Sequence, residues 1–459
     1  MVMLAAAFSA AAQATTSSIS GAVSDTAGNR LQGAAIVARH EPSGSEYGVY
    51  TDRNGYFNIQ GMRTGGPYTV EISYVGYRTV EVRDVVLELG NTFEMNVTLE
   101  SDTDLDAVTV ISSASDRFNA AKTGAASNFS ASEIANIPTV SRSIYDITKL
   151  SPQSQSPKFG GVSFAGMNNR YNSFQIDGVA SNDMYGLTTT GTNAGLTSAN
   201  PLPLDAIEEI QVVVAPFDVR QGGFTGGGIN AITKSGTNSF TGSAYAYYNN
   251  QDFYGTTPGK DVAKRTKLST QSTQIYGVTL GGPIVRDKLF FFVNGEFGLD
   301  KYPSSYYPGY DGAAISADEA ERIAARYQAL TGYNGGGYGR HSINSTSGSL
   351  IARLDWNINR SNTLSLRYNF IDGQKDEYES TPTAFMFNGT GYTSVSRAHT
   401  VSTELNSRIT NNIHNELRVG YSNVIDRRDS ERQLPFVVVQ GLGENGGSTA
   451  YIGTDRYAN

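Results

Sequence analysis

Residues able to do covalent or metal chemistry are sparse in this chain. Its four histidines, His40, His341, His399 and His414, stand far apart, none is flanked by a nucleophile or a metal-ligand partner at useful spacing, and there is no cysteine. Disulfides, cysteine-ligated zinc and an HExxH helix are thereby excluded, and neither a metal nor a cofactor is expected. Gly226-Gly227-Gly228-Ile229-Asn230-Ala231 satisfies the loose dinucleotide pattern G-x-G-x-x-A, with Asp252 about 20 residues onward where a ribose partner would stand. That chemistry needs a helix opening at the glycines, so that free N–H groups meet the phosphates. Residues 229–240 are instead rich in Thr, Ser, Asn and Gly with no helical stripe, and Lys234-Ser235 lacks the glycine that precedes a phosphate-loop lysine. A formal net charge of -8 and a pI near 5.2 disfavour a nucleic-acid partner.

What remains is recognition through the backbone. The stretch 101–118, SDTDLDAVTVISSASDRF, has polar flanks around a β-rich middle made of Asp104, Leu105, Asp106, Ala107, Val108, Thr109, Val110 and Ile111. An exposed extended segment of this kind can add a strand to a partner's sheet edge, main-chain hydrogen bonds giving affinity and alternate side chains giving register. The same residues could also form the last strand of the domain before it or the first strand of the domain after it.

The elements around this segment read as mainly β. Residues 1–14, MVMLAAAFSAAAQA, have the apolar stretch and the Ala12-Gln13-Ala14 step of a signal peptide whose basic start lies upstream of Met1, so the mature chain is expected to begin near Thr15. Residues 18–100 carry about seven short strands punctuated by turn signals at Ala27-Gly28-Asn29, Arg53-Asn54-Gly55 and Gly65-Gly66-Pro67, which predicts a β-sandwich. Tyr47, Tyr50 and Tyr56 on its strands could stack on a sugar, but strand aromatics more often serve as core or cross-strand pairs. Residues 119–238 read as a Gly-rich globular segment. Ile144, Ile147 and Leu150 fall at helical spacing, and Asp205 with Glu208 forms a capping box before the strand 210–214.

From residue 239 to 459 the alternation becomes regular. Leu350, Ala352, Leu354 and Trp356 are apolar between polar Arg353, Asp355 and Asn357, and the same holds for 364–370 and 417–421. Mean hydropathy is -0.31 and no apolar run reaches the ~20 residues of a spanning helix, yet barrel strands, which alternate lipid and lumen faces, remain allowed. A half-buried sheet in a soluble protein would alternate in the same way. Loop lengths decide between them. Strands placed at 240–250, 271–281, 288–299, 347–357, 362–372, 394–409 and 413–425 are joined alternately by long and short connections, as in outer-membrane barrels with long outer loops and short periplasmic turns. The longest loop holds Ser316-Ala317-Asp318-Glu319, a capping box that opens a helix to about Leu330. The glycines at 226–228 then serve close backbone packing inside a barrel wall.

Several runs resemble the TonB-dependent receptors, in particular the Oar-like (OmpA-related) group with an extra amino-terminal carboxypeptidase-regulatory-like domain. SGAVSDTAGNRLQGAAIVA with TDRNGYFNIQGM resembles that added domain. ASEIANIPTVSRSIYDITKLSPQ, GVSFAGMNNRYNSFQIDGVASND and PLDAIEEIQVVVAPFDVRQGGFTGGGINAITKSGTN resemble the plug, and GGPIVRDKLFFFVNGEF the first tight barrel turn. The resemblance implies a non-catalytic sandwich, an α/β plug and the first seven or eight strands of an antiparallel transmembrane barrel set in outer-membrane lipid. It makes 104–111 a TonB box engaged by the TonB protein, and Arg170, Tyr171, Asp183 and Tyr185 plug-apex contacts to an unknown extracellular ligand, whether peptide, glycan or metal chelate. Plugged transporters close with about 22 strands, so the chain is expected to be a fragment ending, at YIGTDRYAN, inside a loop. Energy-coupled uptake is the expected function. The alternative is an outer-membrane adhesion or structural protein whose sandwich binds carbohydrate or a partner. A secreted hydrolase has little support.

Overall fold

The computed structural model describes residues 14–101, 109–112, 125–139, 141–156, 161–183, 186, 188, 190–214, 224–256, 263, 265–310, 312–378, 380–410, 413–430, 434–443 and 445–454. The first domain is a sandwich. Its strands are β1 (Ser17–Asp25), β2 (Ala35–His40), β3 (Ser45–Tyr50), β4 (Tyr56–Met62), β5 (Gly65–Ser73), β6 (Val80–Leu87), β7 (Thr92–Glu94) and β8 (Val97–Leu99), and a further short strand, β9 (Thr109–Ser112), joins it. One sheet has the order β4-β1-β7 with β8 also on β1, and the other β3-β2-β5-β6-β9. Alternate residues of both, among them Ile19, Ile36, Val70 and Ile72, close one apolar core. Tyr47 belongs to that core, its ring 6.4 Å from that of Tyr68, whereas Tyr50 and Tyr56 are exposed.

The second domain is the plug. It contains β10 (Ala125–Ser130), α1 (Ala131–Asn136), α2 (Ile144–Thr148), β11 (Ser154–Gln155), β12 (Ser163–Phe164), β13 (Ser173–Ile176), β14 (Val179–Ala180), β15 (Ile207–Val214) and β16 (Gly227–Thr233). Its sheet has the order β10-β15-β16-β13-β14, with β13 and β16 parallel. Two local expectations are corrected. Ile144 and Ile147 are buried on α2, but the helix stops at Thr148, so Leu150 rotates off that face and is 52% exposed. Asp205 caps no helix: Pro203 stands at the start of the short 3-10 turn there without a side-chain cap, and the Asp205 carboxylate is paired with Arg142. The glycines at 226–228 do serve close packing, though within the plug itself: a Cβ on Gly227 would lie 2.5 Å from the ring of Phe164.

The third part is a curved antiparallel sheet of seven long strands: β17 (Thr241–Asn250), β18 (Ser272–Val285), β19 (Leu289–Pro303), β20 (Ser342–Asn359), β21 (Asn362–Glu377), β23 (Tyr392–Thr410) and β24 (Ile413–Asp429). It is a partial barrel whose first and last strands are not paired to each other. Leu354 (40% exposed) and Trp356 (46%) point outward, as do Leu417, Val419 and Tyr421, whereas Arg353, Asp355 and Arg367 point toward the plug. The wall therefore has a lipid face and a plug face, as the alternation requires. The strands run several residues past their expected ends on the long-loop side, where the ladder continues beyond the apolar band.

Three outer connections fold together. Helix α3 (Ala317–Thr331) starts at the expected capping box, Ser316 accepting from the Glu319 N–H and Glu319 accepting from the Ser316 N–H, and stops at Gly332 with φ 76°. Its Ala320, Ala324 and Tyr327 pack with Phe385 and Phe387 and with Ala450 and Ile452. The strands beneath are β22 (Ala384–Met386), β25 (Val437–Leu442) and β26 (Ser448–Ile452), in the order β22-β26-β25. Tyr451 and Ile452 thus lie on a strand and not in an irregular loop.

Candidate functional site

The plug is held to the wall by ion pairs that neither domain could make alone. The turn between β13 and β14 puts Asp177 in the left-handed region, φ 45°, and aims its carboxylate at the wall. It accepts from the Thr233 N–H at 2.8 Å and hydroxyl at 2.7 Å and from Arg367 Nη1 at 3.1 Å, with Arg353 Nη1 at 3.5 Å. Arg353 donates to both oxygens of Asp355, at 2.9 and 3.1 Å from Nε, and to the Thr233 carbonyl at 2.7 Å. Ser365 adds a third donor to Asp355. Arg367 is 3% exposed and Asp355 fully buried, so each charge depends on its partner rather than on water. Beside this cluster, Arg418 of β24 donates to Glu404 at 3.1 Å and to Thr15 Oγ1 at 2.8 Å. Further round, Arg142 of the plug lies over the ring of Tyr247 on β17 at 4.0 Å.

The sandwich completes the seat from below. Arg63, just after β4, reaches Asp355 at 3.7 Å and Ser235 at 3.2 Å. Asn357 donates to Ser45 at 2.9 Å, Arg360 pairs with Glu46 at 3.4 Å, and Arg408 donates to the Gly48 carbonyl. All of these wall residues border short connections, the periplasmic ends of barrel strands. His40, expected to stand without a nucleophile, bonds Ser43 through Nδ1 at 2.7 Å, and Ser43 bonds Ser45 at 2.8 Å. Both are buried, and burial with the nearby Arg63 holds the imidazole neutral, its pKa lowered to about 3. The array links the sandwich to Asn357. On the plug, Glu209 of β15 accepts from the Leu89 N–H at 2.9 and 3.0 Å and from Asn128 at 2.8 Å. Burial pushes its pKa up to about 8, against the lowering effect of those bonds.

At the opposite, long-loop end, a cavity of about 390 Å³ opens between Ser198 of the plug and the strand ends. Asn249, Asn250, Tyr254, Gln271, Lys301, Tyr302 and Lys375 line it, with Asp300 as its carboxylate. The expected ligand contacts are not gathered there. Arg170 and Tyr171 are exposed on a 3-10 turn, Asn169–Tyr171, whose Tyr171 carbonyl accepts from Thr225 and Gly226. Asp183 braces its own loop, accepting from the Thr188 N–H at 2.6 Å, and none of these three lines the cavity. Tyr185 lies outside the described residues, as do Asp104, Leu105, Asp106, Ala107 and Val108 of the proposed coupling segment. Thr109, Val110 and Ile111 fall on β9.

Comparison with known proteins fits this geometry domain by domain. Residues 18–100 match the carboxypeptidase regulatory-like domain, 118–229 the TonB-dependent receptor plug domain, and 232–307 an outer membrane beta barrel domain. The chain thus carries a TonB-dependent receptor plug domain beside an outer membrane beta barrel domain. It is 28% identical over 309 residues to the TonB-dependent transporter Oar of Myxococcus xanthus, covering 64% of this chain and 28% of that one. It is 27% identical over 381 residues to TonB-dependent receptor P26 of Formosa agariphila, covering 78% and 34%. It thus spans about a third of the length of these curated relatives. Among solved structures, the outer membrane transporter YddB from Escherichia coli superposes with a TM-score of 0.51 at 13% identity, over 73% of this chain and 43% of that one, a likeness of fold alone. Plug and barrel together set the receptor in the outer membrane.

Proposed function

We propose that this receptor serves energy-coupled uptake of an extracellular ligand, driven by the TonB protein through residues 104–111. The observation that carries the reading is the plug seat. A domain fixed to the barrel wall by buried pairs of Asp177 with Arg353 and Arg367 is released only by breaking them, which suits passage that requires work supplied from outside. The long-loop cavity is the ligand site of this reading. Its amines, amides and hydroxyls outnumber its one carboxylate, which suits a ligand rich in oxygen acceptors, such as a glycan, an acidic peptide or a metal chelate. The adhesion alternative needs the sandwich to face outward, and its contacts with Asn357, Arg360 and Arg408 at the short turns favour a periplasmic position. Deleting 104–111 in the chromosomal gene and comparing growth on peptide, glycan and metal-chelate sources tests the reading. Loss of growth on one source, with binding of that source to whole cells retained, is expected. Growth unchanged on every source that the intact receptor serves would overturn the coupling role.

A further inference from the structure

We infer that the sandwich stores part of the coupling segment on its own sheet edge and must yield it before the energising partner can bind. The inference rests on the coupling role proposed above for 104–111. Strand β9 runs parallel to β6 in unbroken register, Val80 opposite Thr109, Glu81 opposite Val110, Val82 opposite Ile111 and Arg83 opposite Ser112. It is the terminal strand of the sheet β3-β2-β5-β6-β9, so it covers an edge that β6 would otherwise present unpaired. Partner capture by β-augmentation would have to take up the same four residues while one of their two edges is spent on β6. A strand has two edges, but four residues are too few to hold a sandwich on one side and a second sheet on the other while the segment is under load.

The tether favours storage. Ser101 is bridged to Tyr77, three residues before β6, and only residues 102–108 separate that bridge from Thr109. A connection this short gives β9 an effective concentration in the ~mM range at the β6 edge, which a separate protein must outcompete. With four paired residues the latch is weak enough to be exchanged and strong enough to keep an idle receptor from occupying the partner. The β6 strand also leads directly into Leu89, whose N–H and carbonyl bind Glu209 and Gln211 of the plug, so the strand that holds the latch ends at a plug contact.

A reversible tether tests this. Adjacent strands lie about 4.8 Å apart, within the Cα separation a disulfide spans, and the chain has no native cysteine to compete. The purified receptor carrying Glu81→Cys and Val110→Cys is titrated with the purified periplasmic domain of the TonB protein from the same bacterium, oxidised and then reduced, beside both single-cysteine variants. The expected result is binding at least tenfold weaker in the oxidised form, restored by reductant, with unchanged melting of the sandwich. Equal affinity in both forms would overturn the inference, since the partner would then be adding to β9 in place. Failure of the disulfide to form under oxidant would overturn it too. If the parent receptor itself does not bind the partner domain, the coupling role of 104–111 falls, and the stored strand falls with it.

Discussion

Asp177→Asn removes one charge from the plug seat and leaves its shape. The carboxylate takes two bonds from Thr233 and faces Arg367 and Arg353. In the variant the remaining carbonyl oxygen can keep the Thr233 N–H, but the new NH2 group points a donor at Arg367 Nη1. Arg353 is still satisfied by Asp355 and the Thr233 carbonyl, so the loss concentrates on Arg367, a guanidinium with almost no access to water. Breaking one partner of a buried pair costs ~3–5 kcal/mol, which makes plug opening roughly 150- to 4,000-fold more frequent. Hydrogen exchange of the β16 amides in the detergent-solubilised receptor reads that opening directly. The second variant decides the cause: Asp177→Asn with Arg367→Met removes both partners and should recover most of the protection. Unchanged β16 exchange in the single variant, or a double variant as loose as the single, would refute the view that this pair fastens the plug.

Other expectations follow from the same structure. Glu209 holds its proton to about pH 8 when the sandwich covers it, whereas an exposed glutamate releases it near 4.5; the docked state is therefore unpenalised below 4.5 and weakens as pH rises toward 8, by at most ~1.4 kcal/mol per unit. Protection of the Leu89 amide should fall over that range in the parent and stay flat, relative to it, in Glu209→Gln; a parallel fall in both would remove Glu209 as the cause. Val401→Arg, on the lipid face near the middle of β23, should destabilise the wall by ~2–4 kcal/mol in lipid vesicles, measured by denaturant unfolding. Ser316→Ala should cost α3 about 0.5–2 kcal/mol, seen as faster proteolysis of the outer unit with no change in plug exchange.

The wall was legible in the sequence because a period of two carries through strands of up to 19 residues, and one misplaced residue would turn a whole lipid face inward. The helix at 317–331 was legible for a similar reason, its capping box being a local signal four residues long. The seat was only half legible. Arg353, Arg367 and Arg418 could be placed on the inward face by alternation, and an inward charge against a packed plug demands a partner. Which partner was beyond reach, since Asp177 and Arg367 are 190 residues apart and Asp177 sits in a turn whose sequence reads simply as a turn. The cavity at the long-loop end was not legible, because its lining comes from strand ends and a plug loop far apart in sequence, such as Ser198, Asn249, Lys301 and Lys375. Short strands such as β22 and β26 were missed as sheet members because so few residues carry no side-chain period, whereas β9 was open to reading as a last sandwich strand and does pair there.

The sandwich's place at the short-turn side changes how force would reach the plug. The proposed pulling segment leaves the sandwich at Ser101 and enters the plug at β10, while the sandwich itself grips the plug through Leu89 and the wall through Arg63 and Ser45. Tension on 104–111 therefore loads two bodies in parallel, and the weaker attachment yields first. Apart from the Arg63–Asp355 pair, whose carboxylate is buried, the sandwich attachment consists of hydrogen bonds and exposed pairs such as Arg360–Glu46, each worth about a kcal/mol. The plug attachment contains the buried Asp177–Arg367 pair. On this argument the sandwich swings away before the plug moves, and only its departure removes Arg63 from Asp355, leaving the seat one cation poorer when the plug is finally loaded.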